Sequence, residues 1–237
     1  MRLLAAIILL LSAVVLAACS GENGDEAYRE AAEQAVGDAV LTLDDLPGDW
    51  TPSALGGVYT DLALTGDCAL LNSRGAGFPG EVASADSEPL SGPADQELVS
   101  TVSAFTSTET AQGAVRLAND LVLQCTDQVA EALKEAIRRA AAEMNLDQLL
   151  RDIDASVEPA AFTNLGDETA AYGLEADFSA LVVNFQVNGH IIVIRAGSLT
   201  GVLLYAVLGD LDAREEERVA AALATNLGEA EESLSNE

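Results

Sequence analysis

The stretch "LVVNFQVNGHIIVIRAGSLTGVLLYAVL", Leu181 to Leu208, constrains the fold of this chain more than any other. It is dense in Val, Ile and Leu, broken only by glycine-bearing dipeptides, and reads as strands. Asn188-Gly189 is the strongest two-residue hairpin signal in the chain. Pairing outward from it sets Val187 opposite His190, Phe185 opposite Ile192 and Val183 opposite Ile194 on one apolar face. His190, the only histidine, then sits at the turn end of that face and reads as structural. "LTGVLLYAVL", Leu199 to Leu208, is apolar on both faces, so it must be a central or covered strand.

What covers it is readable on both sides of this region. Upstream, "TAAYGLEADF" alternates with Ala170, Tyr172, Leu174, Ala176 and Phe178 on one side, and "ASVEPAAFTNLG" before it is a further strand. "QELVSTVSAF", Gln96 to Phe105, is another. After it Ser107 or Thr108 caps a helix with an apolar stripe of Ala111, Ala114, Val115, Ala118, Leu121 and Val122, which Cys125 extends. A second helix, about Asp127 to Met144, buries Val129, Leu133, Ile137 and Met144, its "KEAIRR" charges solvated. A closing helix, about Asp212 to Leu227, packs Val219, Ala222, Leu223 and Leu227. The expected fold is α+β: an antiparallel sheet of about five to six strands with helices on one face.

The N-terminus raises a question of location. Arg2 precedes an apolar run that stops at Cys19, about the length of a signal-peptide core and short for a bilayer span. Leu16-Ala17-Ala18-Cys19 resembles the lipobox of bacterial lipoproteins, which implies cleavage before Cys19 and diacylglyceryl and palmitoyl modification of that residue. Two or more chains anchor stably where one does not. The expected division is a signal peptide over 1–18, a tether over 19–40 in which Glu26 to Val40 is either a short helix or part of the tether, one domain over 41–230 and a disordered tail over 231–237. The expected location is the cell membrane, lipid-anchored and facing the extracytoplasmic side, with the lipid bilayer as a partner through Cys19.

That compartment bears on the two remaining cysteines, Cys68 and Cys125. A lone pair maturing outside the cytoplasm is expected to be bridged, and a closed loop of about 58 residues is worth roughly 4 kcal/mol in the chain-entropy model. Without a histidine near either, they do not make a zinc site.

Charge then removes whole classes of partner. The formal net charge is -28, against a hydrophobic fraction of 49%, so this is a folded acidic protein rather than a disordered one. Nucleic acid is excluded as a partner for want of a basic cluster. "DLDAREEE" from Asp210 lacks the glycine and ligand spacing of a calcium loop and reads as a helix start with acids near its positive end; no metal or cofactor is expected. "GAGFPG", Gly75 to Gly80, matches a dinucleotide fingerprint in letters only, since no helix follows it, and reads as a surface loop. Trp50, the only tryptophan, reads as a buried anchor.

Three further segments carry a family resemblance: "LTLDDLPGDW" from Leu41, "FTSTETAQGAVRLANDLVLQC" leading to a helix that closes on cysteine, and "LGDETAAY" before a strand. Together they resemble the extracellular sensor-like domain of actinobacterial serine/threonine kinases of the PknH type, found also in small lipoproteins. The resemblance implies an α+β domain with intramolecular disulfide bonding and a ligand-binding cleft.

No catalytic residues are assigned. There is no G-x-S-x-G or S-x-x-K, so a hydrolase is the weakest reading. A binding or sensor-like module for an envelope ligand or protein ranks first, ahead of an accessory lipoprotein without a small ligand. The candidate ligand-binding residues are Asn184, Gln186 and Arg195.

Overall fold

The computed structural model describes residues 26–53, 64–71, 77–93, 95–143, 147–180 and 183–236. Cys19 and the lipobox, the signal peptide and Met144 lie outside the described residues.

Among the described residues, eight antiparallel strands form one sheet: β1 Thr51–Pro52, β2 Glu81–Asp86, β3 Leu90–Ser91, β4 Gln96–Phe105, β5 Leu150–Ala160, β6 Glu168–Ala180, β7 Val183–Ala196 and β8 Leu199–Leu208. Their spatial order is β1-β3-β4-β8-β7-β6-β5, with β2 also paired to β4. β2 and β3 share one edge of β4, Asp86 pairing with Thr101 and Leu90 with Leu98. The helices are α1 over residues 26–39, α2 Thr108–Gln124, α3 Thr126–Glu143 and α4 Ala213–Ser235.

The α+β class and the antiparallel sheet follow the sequence reading, but the helices cover both faces rather than one. Alternation along the strands decides this. Leu98, Val102, Ile192, Ile194, Leu203 and Tyr205 point to α1 and α4 and share a core with Val36, Val219 and Leu223. On the opposite face, Tyr172, Leu174 and Val157 pack with Val122 and Val129, and Ala176, Val187 and Ala206 pack with Leu133 and Ile137, residues of α2 and α3. β8 lies between β4 and β7, which is why its apolar residues fall on both sides.

The expected hairpin at Asn188-Gly189 is overturned. β7 runs through both residues without a turn, pairing Gly189 with Leu174 and Ala206, and His190 with Gly173 and Tyr205. Glycine serves close approach here: a Cβ at Gly189 would lie 2.2 Å from the Tyr205 carbonyl oxygen. Asn188 is also bound in place, its amide donating to the Gly209 carbonyl at 2.7 Å. The chain reverses instead at Gly197-Ser198, between the paired Ala196 and Leu199, with Gly197 at φ 56°. A glycine in the first turn position is a known two-residue hairpin signal.

Two boundaries also change. Residues 26–39, within the expected tether, are helical, and Ala32, Ala35, Val36 and Ala39 are buried. The stripe is spaced for a helix but built mostly from alanine, so its apolar contrast is weak. Tyr28 donates to the Phe105 carbonyl at 2.6 Å, fixing α1 to the end of β4. At the other terminus, α4 runs to Ser235 with Ala230 and Leu234 buried, so 231–235 is helix rather than tail. Glu231 accepts from the Ser198 backbone N–H at 3.1 Å and from its hydroxyl at 2.8 Å, tying the last turns of α4 to the β7–β8 turn.

The caps follow the expected chemistry. Ser107 caps α2, accepting from the Thr110 N–H at 3.2 Å, and Asp212 caps α4, accepting from the N–H groups of Arg214 and Glu215. Each satisfies donors that the first helical turn leaves free. α3 ends near its expected boundary, but the strand after it begins at Leu150 and stops at Ala160.

Candidate functional site

Between α2 and the sheet lies a cavity of about 330 Å³, at the small end of the range for ligand sites. Its roof is the α2 stripe Ala114, Val115, Ala118 and Val122, and the facing sheet residues are Ile191 and Val193 of β7 and Val202 of β8. Leu64, Leu70, Leu71 and Phe78 close its side. The disulfide bond holds that side. Cys68, within the short helical turn Gly66–Leu71, is bridged to Cys125 directly after α2, with Cα atoms 5.9 Å apart. The expected bridge therefore pins the segment carrying Leu70 and Leu71 against the end of α2.

One end of the cavity is polar. Register places Ser84, Ser103 and Thr200 in one row across β2, β4 and β8, and all three line the cavity together with Thr101 and Glu81. Glu81 is the only charged side chain among the described lining residues. Its position is set by the turn Phe78-Pro79-Gly80-Glu81, in which the Glu81 N–H donates to the Phe78 carbonyl at 3.0 Å. Pro at the second position and Gly80 at φ 81° in the third make a type II turn. A Cβ at Gly80 would lie 2.3 Å from Thr110 Cγ2, so the turn sits directly against the first turn of α2. The Glu81 carboxylate accepts from the Phe78 N–H at 2.9 Å and, more weakly, from the Ser103 hydroxyl at 3.4 Å.

The three candidate ligand-binding residues do not come together. Asn184 and Gln186 share a face of β7 that Arg195, at an odd position, does not, and Arg195 lies nine positions beyond Gln186, about 30 Å along an extended strand. Gln186 donates to Glu175 at 2.7 Å. Arg195 lies in the polar row next to Thr200, but its guanidinium is held by Asp167 at 3.1 Å and Glu168 at 3.4 Å, and it donates to the Gly197 carbonyl. Glu81, which reading for catalytic or metal-ligating patterns missed, was signalled by its turn: "FPGE" fixes a carboxylate at the head of a strand.

The opposite face holds a second polar group, around α4. His190 Nδ1 lies 2.7 Å from Glu216 Oε1, and Glu216 is 1% exposed. Beside this pair Tyr205 is fully buried, its ring 6.4 Å from that of Trp50. Trp50 is the buried anchor expected of it. The Trp50 indole N–H, the Tyr205 hydroxyl and the Gln96 amide oxygen are buried without a hydrogen-bond partner among the described residues. Burial, and secondarily Glu215 and Glu216, push the Tyr205 phenol well above its ordinary pKa.

No described helix is long and apolar enough to cross a membrane. No family model matches the chain, and no curated protein matches it. Among solved structures it is similar to the extracellular domain of PknH from Mycobacterium tuberculosis, with 9% sequence identity and a TM-score of 0.46 over 85% of this chain and 97% of that one. At that level the likeness carries no argument about what this chain binds.

Proposed function

We propose that this protein is a membrane-anchored extracytoplasmic binding module that holds a small, mainly apolar ligand in the cavity between α2 and the sheet. The observation that carries the reading is the cavity itself: apolar walls from α2, β7 and β8, with hydroxyls and one carboxylate gathered at one end. Apolar lining with a few convergent polar groups is the usual composition of a ligand site. The Cys68–Cys125 bridge suits an oxidising compartment outside the cytoplasm, and the Leu16 to Cys19 motif supplies the anchor through lipidated Cys19.

The test has two parts. Radiolabelled palmitate fed to expressing cells should label the wild-type chain and not Cys19→Ala, and only the wild type should sediment with membranes. Titration calorimetry of the full chain in zwitterionic nanodiscs, corrected with empty discs, should then show saturable binding of octanol. An absence of saturable heat would remove the binding reading, whatever the outcome for the anchor.

A further inference from the structure

We propose that the cavity selects amphiphiles whose polar end is a cation, such as an alkylammonium group, with the Glu81 carboxylate as its anchor. The inference rests on the binding reading above and adds the chemical class of the ligand.

Three observations carry it. First, the polar end offers acceptors: the Glu81 carboxylate and the hydroxyl oxygens of Ser84, Ser103, Thr101 and Thr200. An ammonium group has three donors and no acceptor, whereas a carboxylate head has only acceptors. Second, among the described residues Glu81 has acceptor capacity left. A carboxylate offers about four lone-pair sites, and Glu81 receives one backbone bond at 2.9 Å and one long hydroxyl bond at 3.4 Å. The type II turn at Phe78 to Glu81 and the packing of Gly80 on α2 hold the group in place, so little ordering is left for binding to impose.

Third, the surrounding charge has the sign that attracts a cation. Asp86 stands two residue pairs along from the row of Ser84 and Ser103 and accepts from Thr101 at 2.6 Å. Arg195, at the far end of the same row, does not line the cavity and faces two carboxylates, Asp167 and Glu168. The chain as a whole carries a formal charge of -28, which raises the local concentration of cations and lowers that of anions. A fatty-acid carboxylate would meet Glu81 as a like charge in a place where apolar walls reduce screening.

Titration calorimetry of the full chain in zwitterionic nanodiscs, corrected with empty discs, can compare three eight-carbon compounds: octylamine, octanol and octanoate. Octylamine should bind about tenfold or more tighter than octanoate at low ionic strength, with octanol between them. Glu81→Gln should bring the octylamine and octanoate affinities to within about threefold of each other, and octanol binding to the variant that still saturates shows that its cavity is intact. Glu232→Gln, an exposed change on α4 that removes the same formal charge, should preserve the preference.

The outcomes separate the two readings. No saturable binding of any compound overturns the binding module and this inference with it. Equal affinities, or tighter octanoate, overturn the cation preference and leave the module standing. Equal loss of preference in Glu81→Gln and Glu232→Gln assigns the effect to overall charge and overturns Glu81 as the anchor.

Discussion

His190 on β7 meets Glu216 in the first turn of α4 at 2.7 Å, the histidine side chain 18% exposed and the glutamate 1%. The imidazole reads from sequence as structural, and its partner joins a central strand to the helix that closes the opposite face. Removing one member leaves the other buried without its partner, which costs about 3–5 kcal/mol, whereas replacing both with apolar groups of similar size is often neutral or better. His190→Ala should therefore lower the urea unfolding free energy by several kcal/mol, and His190→Phe combined with Glu216→Leu should recover most of it. A double variant as unstable as the single one would show that the pair is not the source of the loss.

Tyr205→Phe should not destabilise the fold. The hydroxyl is buried without a partner among the described residues, so it contributes a desolvation penalty and no compensating bond. Deleting it should be neutral or stabilise by about 1 kcal/mol. Equilibrium urea unfolding decides; a loss above about 1 kcal/mol would mean that the hydroxyl is hydrogen-bonded in solution.

The same phenol sets an alkaline limit. Burial raises the pKa of Tyr205 above its ordinary value, and burial followed by the Asp120 charge raises that of Tyr172. A raised phenol stays protonated in the folded state while the unfolded chain ionises near pH 10. The stabilisation is thus complete below about pH 10 and is lost as pH climbs above it. Unfolding midpoints should fall steeply between about pH 10 and 12 in the wild type, and less steeply in Tyr205→Phe. Parallel slopes in the two proteins would exclude Tyr205 as a contributor.

The parts of this fold that can be read from sequence are those with strong amphipathic contrast. β4 from Gln96 to Phe105 alternates in burial along almost its whole length, and the α2 stripe carries Val115, Leu121 and Val122 among its alanines and opens at the Ser107 cap. α1 escapes because its stripe is mostly alanine, and α4 extends past Leu227 because Ala230 and Leu234 continue a stripe that the acids around them obscure. Asn188-Gly189 misleads for a different reason. A glycine beside asparagine signals a turn only if nothing else requires a missing Cβ, and here the Tyr205 carbonyl does. The cavity walls of α2 and β8 are legible as core positions. The side that Leu70 and Leu71 close is held by the Cys68 bridge, and no local pattern encodes its placement. Glu81 follows the segment read as a surface loop, and nothing local to it shows that a cavity lies beside the turn.

Loss of the disulfide bond should reach the cavity as well as the stability. Cys68 and Cys125 are 57 residues apart, and releasing a loop of that length should cost about 4 kcal/mol in the chain-entropy model. In the structure it also frees the wall carrying Leu70 and Leu71. The double variant Cys68→Ala and Cys125→Ala should unfold at lower urea and bind octanol at least about tenfold more weakly. A destabilised variant that is still fully folded and keeps its octanol affinity would show that the bridge stabilises the domain without shaping the cavity.

Filling the cavity separates ligand binding from folding. Ala118 faces the cavity from the middle of the α2 stripe, and a phenyl group there would extend into about 330 Å³ of space. In a close-packed core such an enlargement costs about 1–3 kcal/mol because neighbours must move. Here the ring has room and gains apolar contact, so Ala118→Phe should fold with stability within about 1 kcal/mol of wild type while octanol binding falls by about tenfold or more. Urea unfolding and calorimetry on the same preparation give both numbers. A strongly destabilised variant would mean that α2 packs closely on the sheet in solution and that the cavity closes there. A stable variant with unchanged octanol affinity would place the ligand elsewhere on the molecule.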